Sequence, residues 1–197
     1  MLLQFPTTPH RDAQPSLFRS PKCRGPIPVQ HVLVRHALEQ ASLDTTVREI
    51  QYRSGPRIEC PPLSLAGVVL RSAAGAFLLR VHNVSCQRNE EDDARIRFVL
   101  ERHRLQLLER SAGDVLCEPM FSNARKVWSH AGESVSLADR LRLSIALEGG
   151  PLRIFELEGR ISPDCDIVAA LCALACENLV HVRLRDAPLG RHTIVEV

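Results

Sequence analysis

Two apolar runs decide the fold: Leu63-Ser-Leu-Ala-Gly-Val-Val-Leu70 and Ala76-Phe-Leu-Leu-Arg-Val-His-Asn-Val84, separated by Arg71-Ser-Ala-Ala-Gly75. Each run is short, apolar and bounded by turn residues, so the pair predicts a β-hairpin. On its N-terminal side, Val32, Leu33, Ala37 and Leu38 recur with helical spacing, which predicts a helix to about Ala41. Val47, Ile50 and Tyr52 predict a short strand, closed by the turn Ser54-Gly55-Pro56. On its C-terminal side, Glu90-Glu91-Asp92-Asp93 opens a helix carrying Ile96, Val99 and Leu100, because carboxylates suit a helix N-terminus. Leu105–Leu108 follows as a strand and Ser122–Trp128 as a short helix.

The last third has its own pattern. Leu137, Leu141, Ile145 and Ala146 predict one apolar stripe on a helix, with Ser136 as N-cap and Asp139 three residues on. Gly149-Gly150-Pro151 ends it. A second helix carries Ile154, Leu157 and Ile161, and Ser162-Pro163-Asp164 turns the chain. A third carries Ile167, Val168, Leu171, Leu174 and Ala175. Val180–Leu184 and Thr193–Val197 then predict two strands around Pro188-Leu-Gly190. Three helices followed by a hairpin is the plan of a winged helix. The fold class expected is therefore α/β (α+β), divided into residues 1–28, 29–130 and 131–197.

Residues 1–28 hold Pro6, Pro9, Pro15, Pro21, Pro26 and Pro28, a density that predicts a flexible arm with Arg11, Arg19, Lys22 and Arg24 as its cations. The net charge of +2 predicts no strong overall field, but the charge is uneven. Residues 131–197 hold 7 Arg against 10 Asp and Glu; residues 1–130 hold the other 18 basic and 13 acidic groups. A polyanion should prefer the first part.

Several chemistries lose their usual support. No P-loop, dinucleotide fingerprint, H-E-x-x-H or G-x-S-x-G occurs. The seven cysteines are odd in number and include no C-x-x-C pair, so buried reduced thiols and a cytoplasmic location are expected, with no metal and no cofactor. Cys172 and Cys176, four apart, lack a second ligand pair. No run of about 18 apolar residues predicts a membrane span, and no basic-then-apolar leader is evident.

Three stretches carry a family likeness. One is Cys60–Leu70 followed by Gly75–His82. A second is Glu118-Pro-Met-Phe-Ser-Asn-Ala-Arg-Lys-Val-Trp128, the most specific. The third is Gly150–Leu157 with Ala170–Leu179. With their element order they resemble the TnsA-like endonucleases of heteromeric transposases, over about residues 30–197. The resemblance implies a restriction-endonuclease-like mixed sheet core followed by a winged-helix domain. It also implies a site in which a Pro-Asp on one hairpin strand and Glu-x-Lys on the next hold a divalent metal near a phosphate.

The motif residues are missing. The Asp falls on Leu63, the Glu on Arg80 and the Lys on His82. The preceding helix offers only Glu39. Leu and Arg in place of carboxylates argue against catalysis. The expectation is a catalytically inactive accessory protein of a mobile genetic element that binds duplex DNA or a transposase partner. The alternatives are a protein-interaction module without DNA contact, and an active nuclease with a relocated site. For DNA, Arg95, Arg97, Arg102 and Arg104 form one basic run, and Arg183, Arg185 and Arg191 furnish the expected wing. The third helix of the last part has no Arg or Lys and presents Asp166 and Glu177, so base reading by it is not expected.

Overall fold

The computed structural model describes residues 16–59, 63–83, 89–161 and 166–197. Residues 1–15 of the expected arm, the turn at Ser162-Pro163-Asp164 and Cys60, Cys86 and Cys165 lie outside the described residues.

A four-stranded mixed sheet organises the first part. Helix α1 (Val32–Leu43) leads into β3 (Val47–Arg53). The hairpin β6 (Gly67–Ser72) and β7 (Gly75–His82) follows, then α2 (Glu90–Arg102) and β8 (Gln106–Ser111). The strand order is β3-β6-β7-β8. The first two pairings are antiparallel and the last is parallel, with α2 as the crossover that a parallel pair requires. The first apolar run divides: β4 (Arg57–Ile58) pairs with β5 (Leu63–Ser64) as a separate ribbon before β6 begins.

The hairpin runs are apolar almost without alternation because both sheet faces are covered. On one face Ile50, Val68, Leu70 and Leu79 pack with Leu38 of α1. On the other Val69 and Leu78 pack with Leu63 and with Ile96 and Leu100 of α2. Helix α2 is set by Asn89, whose side chain accepts the Asp92 N–H at 2.7 Å, and by four acids in its first turn.

Residues 16–28 differ from the expected arm. β1 (Ser16–Phe18) pairs antiparallel with β2 (Ile27–Val29). Phe18 and Ile27 are each 1% exposed, and the Phe18 ring lies 5.1 Å from that of Trp128. The Ile50 N–H donates to Lys22 O and the Arg24 N–H to Ile50 O, so this segment lines the free edge of β3. Proline density misled here because Pro28 occupies one strand of an isolated two-stranded ribbon, where a missing N–H is tolerated. Lys22 is buried, its Nζ donating to Asp44 O at 2.7 Å, and Arg24 pairs with Glu49.

Short α3 (Ala112–Val115) and α4 (Met120–Trp128) join this layer to the last part. There α5 (Leu137–Leu147), β9 (Leu152–Arg153), α6 (Ile154–Arg160), α7 (Ile167–Cys176), β10 (His181–Val182) and β11 (Ile194–Glu196) follow in order. The hairpin gains a third strand, giving a sheet of order β10-β11-β9, antiparallel throughout. Its core holds Leu143, Leu147, Leu157, Leu171 and Val195, with Val127 of α4. Ser136 caps α5 as expected, but the stripe faces the other way. Leu137, Leu141 and Ile145 are 73%, 54% and 64% exposed, while Leu143 and Leu147 point inward. The inward row also carries Asp139, which is made tolerable there by the Ser136 hydroxyl at 2.7 Å and Arg142 at 3.0 Å.

Candidate functional site

The expected nuclease site combines the hairpin positions Leu63, Arg80 and His82 with Glu39 of the preceding helix. Of these only Arg80 lines the cleft of about 290 Å³ that opens where the N-terminus of α1 meets the start of β6 and the end of β7. His31 caps α1, its Nδ1 accepting the Leu33 N–H at 3.2 Å. Val34, Val68, Leu79 and Val81 line the inner wall, so the strand positions facing α1 are apolar.

The three residues matched to the missing motif do not converge with α1. Strand alternation puts Arg80 and His82 on the face of Leu78, toward α2. Leu63 is buried in that same cluster. The Arg80 guanidinium lies over Gly67 and lines the cleft, its Nη2 donating weakly to Ala66 O at 3.4 Å. Its Nε is buried without an acceptor. Burial draws the Arg80 pKa below the usual guanidinium value, against the opposing pull of Tyr52 and Glu109. The His82 ring nitrogen sits 2.9 Å from Glu109 Oε1. Glu39 lies two turns along α1, bonded to His36 at 3.0 Å, and its carbonyl accepts the Trp128 indole N–H. Among the described residues no group of three His, Cys, Asp or Glu side chains is placed to hold a metal ion.

The arginines separate into two kinds. Arg95 pairs with Glu91 one turn back. Arg97, Arg102 and Arg104 are exposed on and just after α2, with no ion pair among the described residues. The three expected wing cations are already matched. Arg183 lies 3.1 Å from Glu196, Arg185 2.8 Å from Asp44, and Arg191 2.7 Å from Glu158. Exposed pairs of this kind are worth only ~0–1 kcal/mol, so a phosphate can still compete for them.

Helix α7 presents no reading face. Eight of its ten residues are buried, against α4, α1 and α6. Asp166 is its N-cap, accepting from Val168 and Ala169, and Glu177 is held by Arg140. Burial pushes the Cys172 thiol up to about 11 and the Cys176 thiol to about 12, so neither forms a thiolate at neutral pH.

Asn123 was not singled out from the sequence, although it lies in the most specific of the three family-like stretches. It is 4% exposed. Its amide donates to Leu184 O and Ala187 O, each at 2.8 Å, and its Oδ1 accepts the Leu189 N–H at 2.7 Å. It therefore ties α4 to the loop between β10 and β11. A buried Asn inside an apolar helical pattern was the available signal, since such a residue must find partners. Neither a protein-family model nor a curated protein matches the chain.

Proposed function

We propose that the chain is a catalytically inactive TnsA-like accessory protein of a mobile genetic element that binds duplex DNA or a transposase partner. The observation that carries this reading is the pairing of an architecture with an emptied site. The succession α1, β3, β6, β7, α2, β8, with only the last pair parallel, fits a restriction-endonuclease-like core. Three helices and a β10-β11-β9 sheet fit a winged helix. The motif positions hold Leu63, Arg80 and His82 in place of the two carboxylates and the lysine, and among the described residues no Asp or Glu lines the cleft beside α1. Hard-oxygen ligation has nothing to build on there.

For DNA, the unpaired α2 arginines are the better contact and the paired wing arginines the weaker one. The test is a set of duplex-DNA binding isotherms at several salt concentrations, with plasmid incubated alongside in Mg²⁺ or Mn²⁺. Salt-dependent binding without nicking supports the reading. Metal-dependent nicking would replace it with an active nuclease whose site lies elsewhere.

A second reading has its own support. The exposed row Leu137, Leu141, Ile145, beside a buried α7 and neutralised wing arginines, favours a protein-interaction module without DNA contact. Under that reading no salt-dependent DNA binding is seen, and charging Leu141 and Ile145 abolishes retention of the transposase or other mobile-element partner.

A further inference from the structure

The cleft beside the start of α1 holds a cation without a counter-charge. Arg80 is half-buried, and its guanidinium sits among the cleft walls. Nη2 lies 3.4 Å from Ala66 O, and a side chain at Gly67 would begin 3.7 Å from Nη1. That long bond is the only one Arg80 makes among the described residues. Nε is closed to solvent without an acceptor, whereas Nη1, also without one, remains open to it. Glu109, its neighbour on β8, acts on Arg80 through space but is bonded to His82 at 2.9 Å and forms no ion pair with the guanidinium.

Nothing acidic offsets this charge from within the cleft. No Asp or Glu lines it among the described residues, and the adjoining stretches 60–62 and 84–88 contain none in sequence. The other polar residues along it are Gln30, His31 and Tyr52. His31 accepts the Leu33 N–H at Nδ1, so its Nε2 carries a hydrogen and is a donor. Tyr52 is 49% exposed and brings a hydroxyl. The start of α1 forms one side with no acid in its first turn, so the helix end adds to the positive potential. Pro28, Val34, Val68, Leu79 and Val81 supply apolar walls, which weaken screening by water. A guanidinium drawn out of water without a counter-charge is costly. Its planar fork matches the paired oxygens of a carboxylate or a phosphate.

We propose that this cleft binds an oxyanion, the carboxylate or phosphate group of a ligand, on the open Nη face of Arg80. Both groups offer the oxygens that the fork takes, and the site requires no metal. It stands independently of any nuclease likeness and of DNA contact by the α2 arginines.

The test uses the full chain and two probes, inorganic phosphate and acetate, each against chloride at matched ionic strength. Binding is read by calorimetry and by the NMR shift of the Arg80 Nε–H in the unmutated protein. At least one probe should move that resonance saturably where chloride does not. Tighter phosphate assigns a phosphate ligand, and tighter acetate a carboxylate. Arg80→Met should weaken binding about tenfold or more, the effect of losing a charge-assisted contact. Without probe it should be no less stable than the parent, because it removes a desolvated charge that has no partner. Failure of both probes to move the Arg80 Nε–H beyond chloride at tens of millimolar overturns the proposal. Equal binding by the parent and Arg80→Met overturns it as well, since the anion would then sit elsewhere. The shift measurement needs no variant, so it decides the matter even if Arg80→Met unfolds the chain. Neither probe carries a base or a duplex, so the result is separate from that of the DNA isotherms.

Discussion

The side-chain oxygen of Asn123 accepts the backbone N–H of Leu189 at 2.7 Å, while its amide nitrogen bonds the carbonyls of Leu184 and Ala187. One buried side chain thus satisfies three backbone groups of a loop 61 to 66 residues away. This loop joins β10 to β11 and carries Arg185, so Asn123 determines where that guanidinium sits.

Asn123→Ala should lower unfolding free energy by about 2–4 kcal/mol, because it leaves buried backbone groups unpaired as well as removing contacts. Asn123→Asp should also destabilise, since it faces the carbonyls of Leu184 and Ala187 with an acceptor. Trp128 is the only tryptophan and lies beside Phe18, so urea unfolding followed by its fluorescence provides the measurement. A change within 0.5 kcal/mol for Asn123→Ala would refute the clamp.

The Asp44–Arg185 pair should leave a pH signature. Burial would raise the Asp44 pKa, but hydrogen bonds from Thr46 and the Arg185 guanidinium outweigh it, and the folded value lies below the ordinary one. The stabilisation is therefore present above the normal carboxylate range near pH ~4 and fades as pH falls through the depressed value. Because the pair is partly exposed, the effect should be about 1 kcal/mol or less. Asp44→Asn should be less stable than the parent at pH 7 and equal to it in strong acid. A stability gap that widens on acidification would contradict the sign.

Divalent metal should do nothing measurable. With Leu63, Arg80 and His82 at the motif positions, Mg²⁺ or Mn²⁺ should neither raise the melting temperature nor start plasmid nicking. A metal-dependent rise of several degrees together with nicking would show a site made of other residues.

If duplex DNA binds, replacing Arg97, Arg102 and Arg104 with Ala should weaken it more than replacing Arg183, Arg185 and Arg191. The first three are exposed without ion-pair partners among the described residues, while each of the second three must leave a carboxylate. Each lost phosphate contact should lower the salt slope by about one unit, evenly across sequences. The comparison is best made in the full chain. A fragment of residues 29–130 would lose Phe18 and Ile27 from the core and strip α7 from α4. A larger loss from the Arg183, Arg185 and Arg191 triple would reverse the ranking.

The two rows of α5 should respond oppositely to mutation. Leu141→Ser with Ile145→Ser should change stability by no more than about 0.5 kcal/mol, as at other exposed positions. Leu143→Ala, at 1% exposure, should cost about 2–5 kcal/mol. Thermal or urea unfolding of both variants checks this, and a large loss from the serine pair would mean that α5 packs as its sequence pattern first suggested.

Much of the element order was legible because it depends on local rules. The hairpin runs, the Glu90-to-Asp93 turn and the Ser136 cap all act within a few residues, where propensity, dipole and capping chemistry decide the outcome. The uneven charge could likewise be read directly, and so could the absence of carboxylates from the hairpin motif. Where a side chain points is a different matter. The motif positions Arg80 and His82 were legible as identities, but strand register puts them across the sheet from α1.

The sequence by itself determined the α+β succession, the helix starts and a hairpin with no acids at the motif positions, because each follows from residues near one another along the chain. Only tertiary structure decided that Phe18 and Ile27 complete the core, that α5 buries Leu143 rather than Leu141, and that Arg183, Arg185 and Arg191 are paired. It alone brought Asn123 to the 184–189 loop and left the Gln40 oxygen buried without a donor. These are choices among partners distant in sequence. Burial and hydrogen-bond satisfaction settle them, and neither is defined until the chain has closed on itself.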